Sequence, residues 1–92
     1  MNNENRFDSV WNTLEDDPIR IENLKLRSAL LIAINEELSS RELKQKETAE
    51  LLNITQLRVS ALKQGKVNDF HLDNLVDIAH LLGLHVSMEI AA

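Results

Sequence analysis

The octapeptide QLRVSALK, which begins at Gln56, carries the side chains best suited to recognition by hydrogen bonds. The amide of Gln56 can form two bonds with N6 and N7 of an adenine. Arg58 can contact a guanine or, preferentially, a phosphate, and Ser60 can reach either a base or a phosphate. Leu57 and Ala61 offer apolar contacts to thymine methyl groups. These five residues are therefore the predicted contacts with DNA bases.

Catalytic and metal chemistry find little support in the other side chains. His71, His80 and His85 lack the i, i+4 spacing of paired metal ligands, and the chain contains no cysteine. No serine lies in a G-x-S-x-G turn, and the two glycines of the chain do not form a phosphate-binding loop. We expect no enzymatic activity, no cofactor and no metal, with the histidines at helix ends, on the surface or in a strand.

Two short helices joined by a tight turn are predicted to position the octapeptide. Ala49, Leu51 and Leu52 supply the apolar residues of the first helix, whereas Val59 and Leu62 lie one turn apart in the second. Both residues of the second helix should face inward, because a period of 3.6 residues places them on one side. The other residues of the second helix should then face largely outward.

The turn and the ends of these helices carry polar residues with defined roles. Asn53 tolerates the left-handed backbone of a sharp turn better than other non-glycine residues, and Thr55 stands where a helix N-cap belongs. The side chains flanking the second helix are predicted to contact phosphates, which position a protein on DNA without specifying sequence: Lys44, Gln45, Thr55, Lys63, Gln64 and Lys66. The alternative for each is an ordinary solvated side chain.

This arrangement resembles the helix-turn-helix of the Cro/C1-type (XRE) regulators. Gln45 opens the first helix, Asn53 holds the turn position that this family usually gives to glycine, and residues 64–66 match its turn after the second helix. Residues 23–28 and 72–76 further resemble HigA-type antitoxins, the partners of RelE-like ribonuclease toxins. The resemblance covers residues 7–90. It implies an all-α, five-helix Cro/C1-type domain with an N-terminal arm and a short C-terminal strand.

Residues 1–18 are predicted to form the acidic N-terminal arm, which Pro18 ends. The apolar residues of the arm follow a helix-like spacing of three, one and three: Phe7, Val10, Trp11 and Leu14. An arm of this kind suits the basic surface of a toxin, with four candidate contacts: Phe7, Trp11, Asp16 and Asp17. The alternative is that Phe7 and Trp11 pack on the surface of the domain itself.

Residues 19–92 are predicted to form the helix-turn-helix domain, with its motif at residues 45–65. Apolar residues wrap widely around a helix from Ile19 to Leu38, which predicts that this helix is buried at the centre. A later helix should stop at Gly83, and Phe70 should point inward before it. Residues 84–90 alternate between apolar and polar, as a strand does. Its partner would be the same strand of a second subunit or an N-terminal strand, which makes the tail a candidate dimer element.

Charge is distributed unevenly along the chain, although the formal net charge is -5. Residues 1–22 carry -4, residues 23–66 carry +3 and residues 67–92 carry -4, so the positive charge is confined to the segment that would face phosphate. No apolar run approaches the roughly 20 residues of a membrane helix, and the N-terminus lacks the features of a secretory signal. We expect a cytoplasmic protein that does not bind membranes.

These features predict a homodimer that binds a palindromic operator in double-stranded DNA and represses transcription. Two copies spaced about one DNA turn (~34 Å) would read an inverted repeat. The narrower resemblance implies the antitoxin of a type II pair, which represses its own operon and neutralises a RelE-like toxin. The alternatives are a stand-alone phage-type repressor and a protein-interaction module that does not bind DNA.

Overall fold

The computed structural model describes residues 17–92, which fold into four α-helices and one short 3-10 turn. The helices are α1 (Pro18–Ser39), α2 (Gln45–Leu52), α3 (Gln56–Lys63) and α4 (Leu72–Leu81), and the 3-10 turn (Val67–Asp69) lies between α3 and α4. The predicted all-helical class is confirmed, but the predicted count of five helices is not reached in this range. Neither residues 66–71 nor the tail after Gly83 forms a further α-helix, and the arm lies outside the described residues.

The core forms where α1 packs against α4 while α2 packs against α3. Every α-helix contributes to it, as does the end of the 3-10 turn. The buried apolar residues are Leu31, Ile34, Leu38, Ala49, Leu52, Val59, Leu62, Phe70, Leu75, Ile78, Ala79 and Leu82. Phe70 has the largest of these side chains and points inward as predicted. The remaining core is aliphatic, so its stability depends on close packing of small side chains.

Helix α1 is not the buried central helix that its wide apolar arc predicted. Ile19, Leu26 and Ile32 are 75%, 49% and 60% exposed, respectively. The prediction failed because α1 has neighbours on only one side within residues 17–92, so half of its apolar arc faces solvent. Neither α1 nor any other helix in this range combines the length and apolarity needed to cross a membrane.

Helix α4 ends as predicted, but the strand expected after it is absent from residues 17–92. Gly83 adopts a left-handed backbone with φ of +79°, and the Leu84 N–H donates to the carbonyl of Ala79 at 2.9 Å. The predicted strand is not formed because a strand requires a hydrogen-bonded neighbour, and the described chain is otherwise helical. Beyond Leu84 the tail is exposed.

Candidate nucleic-acid interface

The turn between α2 and α3 depends on a left-handed residue, as predicted. Asn53 has φ of 55° and ψ of 44°, a conformation that is costly for most side chains and tolerated by asparagine. The Ile54 N–H donates to the carbonyl of Ala49 at 3.1 Å, which satisfies one of the free carbonyls at the end of α2. The short turn lets α3 begin only three residues after Asn53.

Replacing Asn53 with alanine is expected to lower the free energy of unfolding by about 1 kcal/mol, because alanine pays the full cost of the left-handed backbone. Replacing it with glycine should leave stability unchanged or raise it, since glycine adopts this conformation freely. Urea unfolding followed by circular dichroism measures both changes. Equal stability of the two variants would mean that the backbone conformation is not the cause.

Thr55 caps the N-terminus of α3, which confirms its predicted position. Its hydroxyl oxygen accepts a hydrogen bond from the Arg58 N–H at 3.2 Å, and its own backbone is extended. Because the oxygen is the acceptor, the hydroxyl proton remains free to donate. Thr55 can therefore cap the helix and donate to a phosphate at the same time.

Gln45 joins the start of α2 to the start of α3. Its Nε2 donates to the backbone carbonyl of Gln56 at 3.0 Å. One amide proton is used in this bond, and the second remains available for a phosphate oxygen. The side chain of Gln56 is exposed and is not used in this bond, so it is free to meet a base edge.

The two sides of α3 differ in exposure. Val59 and Leu62 are fully buried, whereas Leu57 is 80% exposed. Ser60 and Ala61 are half-buried, and Ala61 packs against the core, so its methyl group is only partly accessible. The outer surface of α3 therefore consists mainly of its first turn and Ser60.

Arg58 turns toward the domain, not away from it. Its Nη2 donates to the carbonyl of Asp69 at 3.3 Å, and its guanidinium carbon lies 4.6 Å from the centre of the Phe70 ring, within range of a cation–π interaction. Sequence reasoning missed these contacts because they join residues that are not neighbours in the chain. Arg58 would have to leave them to contact a base.

Four of the predicted phosphate contacts have exposed side chains at the start of α2 or near the end of α3. Lys44 directly precedes α2, and Lys63 lies in the last turn of α3. Gln64 and Lys66 follow α3, and all four residues are exposed. Helix α3 itself has two cationic residues and no acidic one. A phosphate backbone approaching α3 would therefore meet positive charge and hydrogen-bond donors.

A family model for the helix-turn-helix domain matches residues 13–91 of the chain. The chain belongs to this helix-turn-helix family. Membership indicates a DNA-binding regulator, which agrees with an exposed α3 placed after a tight turn. No curated protein matches the chain.

Two side chains of α1 bind backbone carbonyls of α3 and of the segment that follows it, and sequence patterns did not identify them. Asn35 Nδ2 donates to the Leu62 carbonyl at 2.9 Å, near the C-terminus of α3. Arg27 Nη1 donates to the Phe70 carbonyl at 3.2 Å, while its buried Nε has no hydrogen-bond partner. No local signal distinguishes these residues from other polar residues of α1, because their partners are distant in sequence.

Of the four candidate toxin contacts, the structure describes Asp17 alone. One oxygen of its carboxylate accepts a hydrogen bond from the Arg20 N–H at 3.2 Å, so Asp17 is the N-cap of α1. Phe7, Trp11 and Asp16 lie outside the described residues. Any partner that contacts Asp17 would meet a carboxylate already fixed at the start of the helix-turn-helix domain.

Proposed function

We propose that this protein is a sequence-specific transcriptional repressor that inserts α3 into the major groove of DNA. The observation that carries the proposal is the exposure of α3, which buries Val59 and Leu62 and presents Gln56, Leu57 and Ser60. A helix with these side chains can hydrogen-bond to adenine and contact thymine methyl groups. Repression requires no chemistry by the protein, because occupancy of an operator blocks the polymerase.

One subunit makes few contacts with DNA and would bind it weakly, so we propose that a homodimer binds a palindromic operator. Two copies of α3 about one DNA turn (~34 Å) apart would read two half-sites. Residues 84–90 are the candidate dimer element, because their exposed apolar residues alternate along the tail: Val86, Met88 and Ile90. Pairing between the tails of two subunits would supply the neighbour that a strand requires.

A gel-shift titration over a range of salt concentrations tests DNA binding. The probe is the region upstream of the gene, and the control is unrelated DNA of equal length. Each subunit has three lysines that we expect to contact phosphates: Lys44, Lys63 and Lys66. For a dimer, a plot of the logarithm of the binding constant against the logarithm of the salt concentration should therefore have a slope on the order of -5. Equal affinity for probe and control would contradict sequence-specific binding.

The narrower role that we propose is that of an antitoxin, which represses its own operon and neutralises a RelE-like toxin in the cytoplasm. The proposal is supported by the charge of -4 in residues 1–22, which suits a basic surface, and by the resemblance in residues 23–28 and 72–76. A neighbouring reading frame for a small basic protein would favour the antitoxin. A phage lysogeny region around the gene would favour a stand-alone repressor.

Deleting residues 1–16 tests the role of the arm and retains Asp17, which caps α1. We expect the deletion to abolish co-purification with the toxin and to leave operator binding unchanged. Retained co-purification would mean that Phe7, Trp11 and Asp16 do not bind the toxin. Toxin binding by a full-length protein that does not bind DNA would instead identify a protein-interaction module.

A further inference from the structure

Arg58 lies on the flank of α3, between its buried and its exposed sides. Successive residues of a helix are about 100° apart, so Arg58 is about 70° from the middle of the side that buries Val59 and Leu62. By the same geometry Leu57 is about 170° from it, and Leu57 is 80% exposed. Arg58 is half-buried, so its place on the helix favours contacts with the domain itself.

The guanidinium of Arg58 binds the connecting segment, residues 65–70, which joins α3 to α4. Its Nη2 donates to the carbonyl of Asp69 at 3.3 Å, and its central carbon lies 4.6 Å from the centre of the Phe70 ring. Arg27 of α1 binds the next carbonyl, that of Phe70, at 3.2 Å. Helices α3 and α1 thus each hold the segment through one arginine. Arg58 would lose both of its contacts if it extended to a base or a phosphate.

Lys66, a predicted phosphate contact, lies in the same connecting segment. Its N–H donates to the carbonyl of Ala61 at 3.0 Å, in the last turn of α3, and its own carbonyl accepts from the Asp69 N–H at 3.0 Å. Its side chain is exposed. Contacts therefore run from Arg58 through Asp69 to Lys66, and the position of Lys66 beside α3 depends on the arginine.

We propose that Arg58 is a positioning residue for DNA binding. It holds the connecting segment against α3 so that Lys66 meets a phosphate, and it contacts neither a base nor a phosphate itself. Discrimination between bases is then left to the exposed side chains of Gln56, Leu57 and Ser60. The inference rests on the proposed function, because it assumes that α3 enters the major groove.

Binding to two DNAs over a range of salt concentrations tests this role: the region upstream of the gene and unrelated DNA of equal length. Arg58→Ala should weaken binding to both by the same factor, because no base contact is lost. Loss of one phosphate contact in each subunit makes the salt slope of a dimer less negative by about 2. We expect this change for Lys66→Ala and a change of the same sign for Arg58→Ala. The double variant should bind like Lys66→Ala, because Arg58 then has no phosphate contact left to position.

Three results with these variants would overturn the proposal. A smaller loss on unrelated DNA than on the upstream region would make Arg58 a base contact. Additive losses for Arg58→Ala and Lys66→Ala would make Arg58 an independent phosphate contact. Unchanged binding by Arg58→Ala would mean that the contacts of Arg58 serve the fold alone.

Phe70→Leu separates positioning from the charge of Arg58, which this variant keeps. It removes the ring on which the guanidinium stacks, so the connecting segment is held less firmly and affinity for both DNAs should fall. If Arg58 contacted DNA itself, loss of the competing ring would leave affinity unchanged or raise it, which would contradict the proposal.

Ile78→Val is the control for lost stability, because it truncates a buried side chain of α4 outside the connecting segment. It should bind both DNAs like the parent. A loss equal to that of Phe70→Leu would assign the effect to stability and overturn the proposal. Circular dichroism checks that each variant is folded during the titration.

Failure of this inference is distinguishable from failure of the proposed function. A parent protein that binds both DNAs equally would contradict sequence-specific repression, but the effects of Arg58→Ala, Lys66→Ala and Phe70→Leu would remain measurable, because a phosphate contact forms on any sequence. A parent protein that binds neither DNA would overturn both proposals.

Discussion

Replacing Phe70 with alanine is expected to lower the free energy of unfolding by about 3–5 kcal/mol. The side chain is 1% exposed and is the largest in the core, and no other Phe, Trp or Tyr occurs in residues 17–92. Small neighbouring side chains cannot fill the cavity without moving the helices. Small domains often have a total stability of only about 5–15 kcal/mol, so the variant should be close to unfolding at room temperature.

Part of this loss should come from the contact between the Phe70 ring and Arg58, whereas the hydrogen bond of Arg27 to the backbone of Phe70 is kept in the variant. Arg58 stacks on the ring, and Arg27 binds the backbone carbonyl of the same residue. Removing the ring leaves the guanidinium of Arg58 without its cation–π partner, an interaction of about 0.5–2 kcal/mol. Arg58→Ala should therefore also lower stability, which a residue devoted to DNA contacts would not do.

Urea unfolding of the parent, Phe70→Ala, Arg58→Ala and the double variant measures these effects. The double-variant cycle isolates the coupling between ring and guanidinium, and Phe70→Leu is the control that keeps most of the apolar volume. We expect Phe70→Leu to cost less than half as much as Phe70→Ala. Additive effects of Phe70→Ala and Arg58→Ala would contradict a direct stacking interaction.

Replacing Gln56 with alanine is expected to weaken operator binding roughly 5- to 150-fold, which corresponds to the ~1–3 kcal/mol of a bidentate base contact. The substitution removes the exposed amide but keeps the backbone carbonyl that accepts the bond from Gln45. The position of α3 should therefore be unchanged, and so should the melting temperature. The lost affinity would be specific to the operator, because an adenine contact contributes nothing on unrelated DNA.

Gln64→Ala is the matched control for this prediction. Gln64 carries the same amide at the C-cap of α3, where we expect it to contact phosphate. Its loss should weaken binding to operator and unrelated DNA equally, whereas Gln56→Ala should reduce the difference between them. Binding to both DNAs can be measured by fluorescence anisotropy at one salt concentration. An equal loss on both DNAs for Gln56→Ala would remove Gln56 from the base contacts.

Local backbone features were predictable from sequence because their causes lie within a few residues. Asn53 at the left-handed turn, Thr55 at the N-cap and Gly83 after α4 all occupy the predicted positions. Each depends on the conformational preference of one residue and on hydrogen bonds to near neighbours. The inward position of Val59 and Leu62 followed from helical period alone.

The features that sequence did not predict depend on which surfaces meet. The exposed arc of α1 has the composition of a buried helix, and composition does not show how many neighbours a helix has. The alternating tail at residues 84–90 has the pattern of a strand but no neighbour to pair with among residues 17–92. The helical period of α3 predicted an outward Arg58. Its contacts with Asp69 and Phe70 were not predicted, because those two residues lie outside α3.

Hydrogen bonds at both ends of α3 have a thermodynamic consequence for binding. Gln45 holds the carbonyl of Gln56 at the first turn, and Asn35 holds that of Leu62 near the last. A helix fixed at two points loses little conformational entropy when it enters a groove. Association should therefore proceed without coupled folding, and calorimetry should find a heat-capacity change no larger than burial of the contact surface itself requires.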